Sequence, residues 1–122
     1  MIGLWVALAG GIGATLRFVV DSLIARRARR TVPWGTILIN VTGSFLLGLL
    51  TALTLDRVGV AHLTTVLGTG LLGGYTTFST ASVEAVNLSL MEGPRSVVRA
   101  AAHSGGMLLT SMAAAGLGLW LG

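Results

Sequence analysis

Apolar runs and short polar segments alternate along this chain. The apolar runs cover about residues 2–24, 34–55, 60–91 and 97–121. A helix needs about 20 residues to cross the hydrocarbon core of a bilayer, so each run is long enough to span it. The pattern predicts an all-α membrane protein whose residues 1–122 form a single domain of four transmembrane helices.

The third run contains an unusual segment, GTGLLGGYTTFSTASVE, from Gly68 to Glu84. Four glycines in seven residues are followed by hydroxyl side chains, namely Thr76, Thr77, Ser79 and Thr80. Glycine weakens a helix and hydroxyls compete for its backbone hydrogen bonds, so we predict a break near Gly73–Thr77. A break at membrane depth must be buried in protein or line a wet cavity. Its freed carbonyls would suit a cation and its freed amides an anion, which makes the segment a candidate ion site.

Polar side chains also lie on one face of the second run. Thr36, Asn40 and Ser44 are spaced by four residues, so they share one side of a helix. An amide in hydrocarbon costs several kcal/mol unless it is hydrogen-bonded. Asn40 therefore either bonds to another helix or lines an ion path, and the spacing leaves both interpretations open.

The first and fourth runs each contain three residues spaced by four, which place their side chains on one side of a helix. Ala7, Gly11 and Thr15 form a face that predicts close helix packing. In the fourth run His103, Met107 and Ser111 share a side. We interpret this run as a packing helix with an incidental histidine.

Three charged residues lie near or within the predicted spans. Arg17 and Asp21 are four residues apart, which indicates an ion pair or, for the arginine, a role in concentrating anions at a vestibule. Glu84 is the one carboxylate predicted well inside a span. An ionisable group at that depth is expected to be functional, but a carboxylate without a paired acid or base does not support hydrolytic chemistry.

Composition agrees with a membrane protein and excludes several classes. The 122 residues are 53% hydrophobic and 10% charged, with a mean hydropathy of +0.87, so no soluble domain is expected. The absence of cysteine excludes disulfides and thiol catalysis. His62 and His103 are distant in sequence and neither has a third ligand candidate near it, so the sequence does not indicate a metal site. Neither an enzyme nor a nucleic-acid-binding protein is predicted.

The arginines predict an orientation in the membrane. Six of them lie in or beside the segments after the first and third runs: Arg26, Arg27, Arg29, Arg30, Arg95 and Arg99. The opposite side carries Arg57. Positive residues favour the cytoplasmic side, so we expect the arginine-rich segments in the cytoplasm and both termini outside. The size of a four-helix bundle also indicates oligomerisation.

Four motifs resemble the Fluc, or CrcB, family of fluoride channels. They are GGIGATLRF from Gly10, GTILINVTGSFLLG from Gly35, GGYTTFSTASVE from Gly73, and the fourth-run ending GLWLG. The resemblance implies an antiparallel dimer in the cell (inner) membrane of a prokaryote that exports fluoride passively and so lowers cytoplasmic fluoride. It further implies a structural sodium ion, not transported, held on the two-fold axis by the backbone carbonyls of Gly73 and Thr76.

The resemblance also assigns residues to the ion pathway and its mouths. The pathway residues are Asn40, Thr77, Phe78, Ser79, Thr80 and Ser111, and the vestibule residues are Arg17 and Glu84. Neutral donors suit fluoride because they replace its water shell without holding the ion too firmly. Phe78 would offer its electropositive ring edge.

Two residues depart from the family pattern. Ala81 stands where the family has a second phenylalanine, and Met107 stands where it has a tyrosine. The uneven arginines also disfavour insertion of one sequence in both directions. We therefore hypothesise a heterodimer with an oppositely oriented homologue, in which one of two pores conducts.

Two other functions remain open at this stage. A small proton-coupled four-helix drug exporter also combines antiparallel dimers with a membrane carboxylate, although the 6% aromatic content is low for its substrate chamber. A non-conducting partner subunit of a heteromeric channel is the second alternative.

Overall fold

The regular elements of the described chain are all helical. A computed structural model describes residues 1–27, 34–91 and 93–122, except for the side chains of Arg27 and Ser79. The α-helices are α1 (Ile2–Arg27), α2 (Trp34–Thr54), α3 (Ala61–Thr65), α4 (Gly73–Tyr75), α5 (Ser79–Ser89) and α6 (Ser96–Leu121), and a π-helix (Val66–Leu72) joins α3 to α4. The predicted all-α class is confirmed.

Three helices, α1, α2 and α6, are long and apolar enough to cross a membrane. Their ends lie close to those predicted, although α1 continues to Arg27 rather than stopping near residue 24. Large apolar side chains are exposed along them, for example Leu8, Leu46 and Leu109. Such side chains suit lipid contact, so the fold is that of a multi-pass membrane protein.

The third predicted span is interrupted. The helix that begins at Ala61 widens into the π-helix, continues through α4 to Tyr75, and resumes as α5 at Ser79. Residues 76–78 lie outside regular helix. A break is therefore present, but it lies at the threonines rather than at Gly73, because the preceding glycines stay helical and pack against α1.

Helix α1 packs closely against both the π-helix and α4, and this contact between backbones depends on glycine. A Cβ added to Gly74 would collide with the carbonyl oxygen of Gly10, and one added to Gly13 would collide with that of Leu71. A Cβ on Gly70 would lie 2.9 Å from the Cβ of Ala9. Small residues permit this approach, and close packing is what drives helix association in lipid.

The face of α1 that packs differs from the predicted one. Ala7, Gly11 and Thr15 are exposed, and a Cβ added to Gly11 would meet nothing within 4 Å. The prediction was wrong for contacts within this subunit because the π-helix approaches the neighbouring face, where Gly10 and Gly13 lie. The four-residue spacing shows which residues of α1 share a face, but it does not show which helix packs against that face.

Close contact between α2 and α6 forms the other half of the subunit. A Cβ added to Gly48 would collide with the carbonyl oxygen of Ala115, and one added to Gly118 would collide with that of Phe45. Ile39 of α2 is 1% exposed and is the largest fully buried side chain of the described residues. The two helices thus place the polar face of α2 against the broken third helix.

Arg29 and Arg30 lie outside the described residues, as does Glu92. Arg26, Arg57, Arg95 and Arg99 are exposed. These positions do not fix which side of the membrane each segment occupies, so the orientation stays a prediction.

We predict that Gly74→Ala destabilises the fold by about 1–3 kcal/mol, which is typical of overpacking. The added Cβ would press on the backbone of Gly10, which cannot move without shifting α1. Thermal unfolding in detergent measures the change. Gly11→Ala is the matched control, since it adds the same methyl group where nothing lies within 4 Å; equal melting temperatures for the two variants would contradict the packing argument.

Candidate functional site

The break in the third helix is built by diverting backbone hydrogen bonds. Thr76 adopts an extended conformation, with φ −77° and ψ 159°. Its N–H and its hydroxyl both donate to the carbonyl of Leu72, at 2.9 and 3.0 Å. The chain therefore leaves α4 with its last donors satisfied and turns away from the helix axis.

Asn40 of α2 pairs with the peptide group at the break. The N–H of Thr77 donates to Oδ1 of Asn40 at 2.9 Å, and Nδ2 of Asn40 donates to the carbonyl oxygen of Thr77 at 3.0 Å. Unpaired backbone groups are costly at membrane depth. One asparagine thus satisfies both groups that the break exposes, and the predicted interhelical hydrogen bond of Asn40 is present.

Thr77 also lies just before the next helix and bonds to its first turn. Its hydroxyl accepts a hydrogen bond from the N–H of Thr80 at 3.1 Å, which caps the first turn of α5 in the way that threonine caps helices. In a continuous helix the N–H of Thr77 would donate to Gly73 and that of Thr80 to Thr76. Both donors are used elsewhere, so the carbonyls of Gly73 and Thr76 lose the partners that a helix would give them.

A second polar contact fixes the residue before the break. The hydroxyl of Thr42 donates to the carbonyl of Leu38 at 2.7 Å and lies 3.0 Å from the hydroxyl of Tyr75. Since the threonine proton is already used, the tyrosine is the donor between them. Gly43 permits the approach, because a Cβ there would collide with the methyl group of Thr76.

A cavity of about 680 Å³ opens beside the break. Its polar lining consists of one amide and several hydroxyl side chains: Asn40, Ser44, Thr76, Thr77, Ser82, Ser104 and Ser111. Among the residues described there, the lining holds no charged side chain. Phe78 also lines the cavity and is 87% exposed, so the cavity opens to the outside of the subunit at that point.

The face of α2 that carries Asn40 meets the broken helix along its length. The hydroxyl of Thr36, which is buried, donates to the carboxylate of Glu84 on α5, and Ser44 lines the cavity one turn beyond Asn40. The alternatives for Asn40 are therefore compatible, because its amide bonds to another helix and also forms part of a cavity wall.

Only some of the other residues predicted for the ion pathway and its mouths line this cavity. Gly73 and Ser111 line it; Thr80 is exposed and does not line it; the side chain of Ser79 lies outside the described residues. Arg17 is half-buried on α1 and makes no ion pair with Asp21. The roles assigned to these residues stay predictions.

Some cavity residues were missed by the sequence analysis. Besides Ala81, the face that α5 turns to the cavity carries Ser82 and Ala85, which continue from Phe78 at helical spacing. Ser104 precedes Ser111 by seven residues, so an i, i+7 search on α6 would have found it. The hydrogen bond between Thr36 and Glu84 could not be predicted from the sequence, because residue spacing describes one helix and these residues lie on two different helices.

Comparison with known proteins places the chain in a family. Residues 4–122 match the family described as CrcB-like protein, Camphor Resistance (CrcB). The chain belongs to this family. The resemblance drawn from the motifs is thereby confirmed.

Similar proteins of this family carry a transport function in their names. The chain is 51% identical to fluoride-specific ion channel FluC 1 of Leifsonia xyli subsp. xyli, over 100% of this chain and 87% of that protein. It is 50% identical to fluoride-specific ion channel FluC 2 of Cutibacterium acnes, over 100% and 98%. A third relative, FluC 2 of Moorella thermoacetica, is 43% identical over 99% and 95%.

We predict that Asn40→Ala lowers the free energy of unfolding by about 2–4 kcal/mol, since it removes the two hydrogen bonds that the amide makes with the N–H and the carbonyl of Thr77. Unfolding in detergent measures the loss. Ser44→Ala, one turn further along the same face, should stay within about 0.5 kcal/mol of the unmodified protein. A similar small effect for Asn40→Ala would show that the break does not depend on this amide.

Proposed function

We propose that this chain is a subunit of a fluoride-selective channel that lets fluoride leave the cytoplasm down its gradient. The observation that carries the proposal is its full-length identity, 51% and 50%, to proteins named fluoride-specific ion channels. The cavity beside the break adds a physical argument. Its described lining is polar and carries no charged side chain, and neutral donors replace the water shell of a small anion without binding it as tightly as a fixed positive charge would.

A proton-coupled drug exporter fits the geometry less well. Such a protein would need a carboxylate facing its substrate chamber. Glu84 instead accepts a hydrogen bond from the hydroxyl of Thr36 and is absent from the described cavity lining. Neutral donors favour an anion path over a site for a cationic drug.

The proposal includes an antiparallel dimer. The cavity opens sideways at Phe78, whose side chain is 87% exposed, and a second subunit laid against that side would close the wall. An anion would then meet the electropositive edge of the ring together with the donors of α2, α5 and α6. Arg17 and Glu84 would lie near the two mouths of this pathway.

The proposal also includes a structural sodium ion, and the residues at the break fit one. A hard cation takes oxygen ligands, and broken membrane helices supply them from unwound backbone. The carbonyls of Gly73 and Thr76 would hold the ion, because the amides that would bond them in a continuous helix are engaged by Asn40 and by the hydroxyl of Thr77. The positive charge of the ion would hold the broken segments together. The ion itself would not be transported.

We place the subunit in the inner membrane of a prokaryote with its arginine-rich segments in the cytoplasm. The imbalance of six arginines to one supports a single orientation. The partner in the dimer is then an oppositely oriented homologue, and one of the two pores conducts.

Fluoride efflux from liposomes tests the channel directly. We expect flux down the gradient, without proton coupling, when this chain is reconstituted with its oppositely oriented relative, and little flux from this chain alone. Full flux from the chain alone would overturn the heterodimer. No flux from either preparation, or flux that follows the proton gradient, would overturn the channel. Replacing sodium by a large organic cation should weaken dimer assembly if the sodium proposal is correct.

Phe78→Ala should reduce fluoride efflux roughly tenfold, which corresponds to about 1.4 kcal/mol, since it removes the ring edge from the pathway. Because the side chain is exposed, its removal leaves the packing of the subunit intact. Phe18→Ala is the matched control: Phe18 is 72% exposed on α1 and does not line the cavity. Unchanged efflux from Phe78→Ala would remove this residue from the pathway.

A further inference from the structure

The orientation of the Asn40 amide is fixed by the broken helix. The N–H of Thr77 requires an acceptor, so the oxygen of the side-chain amide faces it, at 2.9 Å. The nitrogen then faces the carbonyl of Thr77 at 3.0 Å. Reversing the amide would set donor against donor and acceptor against acceptor.

Both hydrogens of that nitrogen have partners. One is donated to the carbonyl of Thr77 and the other to the sulfur of Met107 on α6, with a nitrogen-to-sulfur distance of 3.3 Å. An asparagine nitrogen carries two hydrogens. The amide of Asn40 therefore has no donor left for an anion while Met107 holds this position.

The bond to Met107 is the one that an anion can replace. A thioether is a weak acceptor, whereas the carbonyl oxygen of Thr77 is a strong one, so the bond to the sulfur is the easier of the two to break. Met107 lines the cavity and is buried, at 7% exposed. Its unbranched side chain is flexible, so it can turn aside without movement of the backbone.

A second donor lies on the same side of α6. The hydroxyl of Ser111, one turn beyond Met107, lines the cavity and is buried without a hydrogen-bond partner among the described residues. An anion that displaced the thioether would therefore enter a space between the amide of Asn40 and this hydroxyl. Asn40 and Ser111 are thus two groups of the cavity wall that can donate to an anion once the thioether has moved.

We propose that Met107 determines access of the anion to this site: its side chain occupies the second donor of Asn40 and must turn away before fluoride can bind there. The inference rests on the proposed function and deepens it. It gives the methionine a defined role, since a small side chain at the same position would leave the donor open. Passage through this site is accordingly slower than it would be without the thioether.

Efflux of fluoride and of chloride from liposomes tests this role. The variants are Met107→Ala and Met107→Val, each reconstituted with the oppositely oriented relative, beside the unmodified protein. We expect a roughly threefold to tenfold rise in fluoride efflux, the factor that one net hydrogen bond is worth, with chloride efflux unchanged. Met112→Ala is the matched control, because Met112 is 63% exposed on the same helix and does not line the cavity.

The outcomes separate this inference from the channel itself. Unchanged or lowered fluoride efflux from a folded Met107 variant would overturn the role of Met107 while leaving the channel proposal intact. Equal rises in fluoride and chloride would also overturn it, since they would indicate a wider hole rather than a released donor. The valine variant fills more of the space than alanine and offers no acceptor to Asn40, so it carries the same expectation if the alanine variant does not fold. Absence of fluoride flux from every preparation would instead overturn the proposed function.

Discussion

The pairing of the Asn40 amide with the peptide group of Thr77 is the interaction on which the broken helix depends. Water cannot satisfy a backbone group in the hydrocarbon core, so a break there needs a protein partner with one donor and one acceptor. An asparagine side chain has the same groups as a peptide and presents them in the same plane. The position of the break is thus set by a residue on a neighbouring helix as much as by the residues of the broken helix.

The same diversion of hydrogen bonds gives the break its mixed character. Asn40 and the hydroxyl of Thr77 engage two amides, and the carbonyls of Gly73 and Thr76 lose those amides as partners. Backbone oxygens without their helical partners consequently lie in the same cavity wall as the amide of Asn40 and several hydroxyl groups.

Close backbone contact holds these groups in place. In lipid the hydrophobic effect does not drive helices together, so close packing of small residues must supply the attraction. Gly13 and Gly74 bring α1 against the broken helix, while Gly48 and Gly118 bring α2 against α6. The frame is therefore tight around the break, and the side that carries Phe78 is left open.

The sequence alone determined the membrane class, the approximate spans and the presence of a break. Bilayer thickness fixes the length of an apolar run, and glycines followed by hydroxyls weaken a helix wherever they occur. The motifs also identified the family. Only the tertiary structure decided that Gly10 and Gly13 pack rather than Ala7 and Gly11, and that Met107 lies on the amide of Asn40. Helical spacing tells which side chains share a face, but the residue opposite that face is chosen by how separate helices pack.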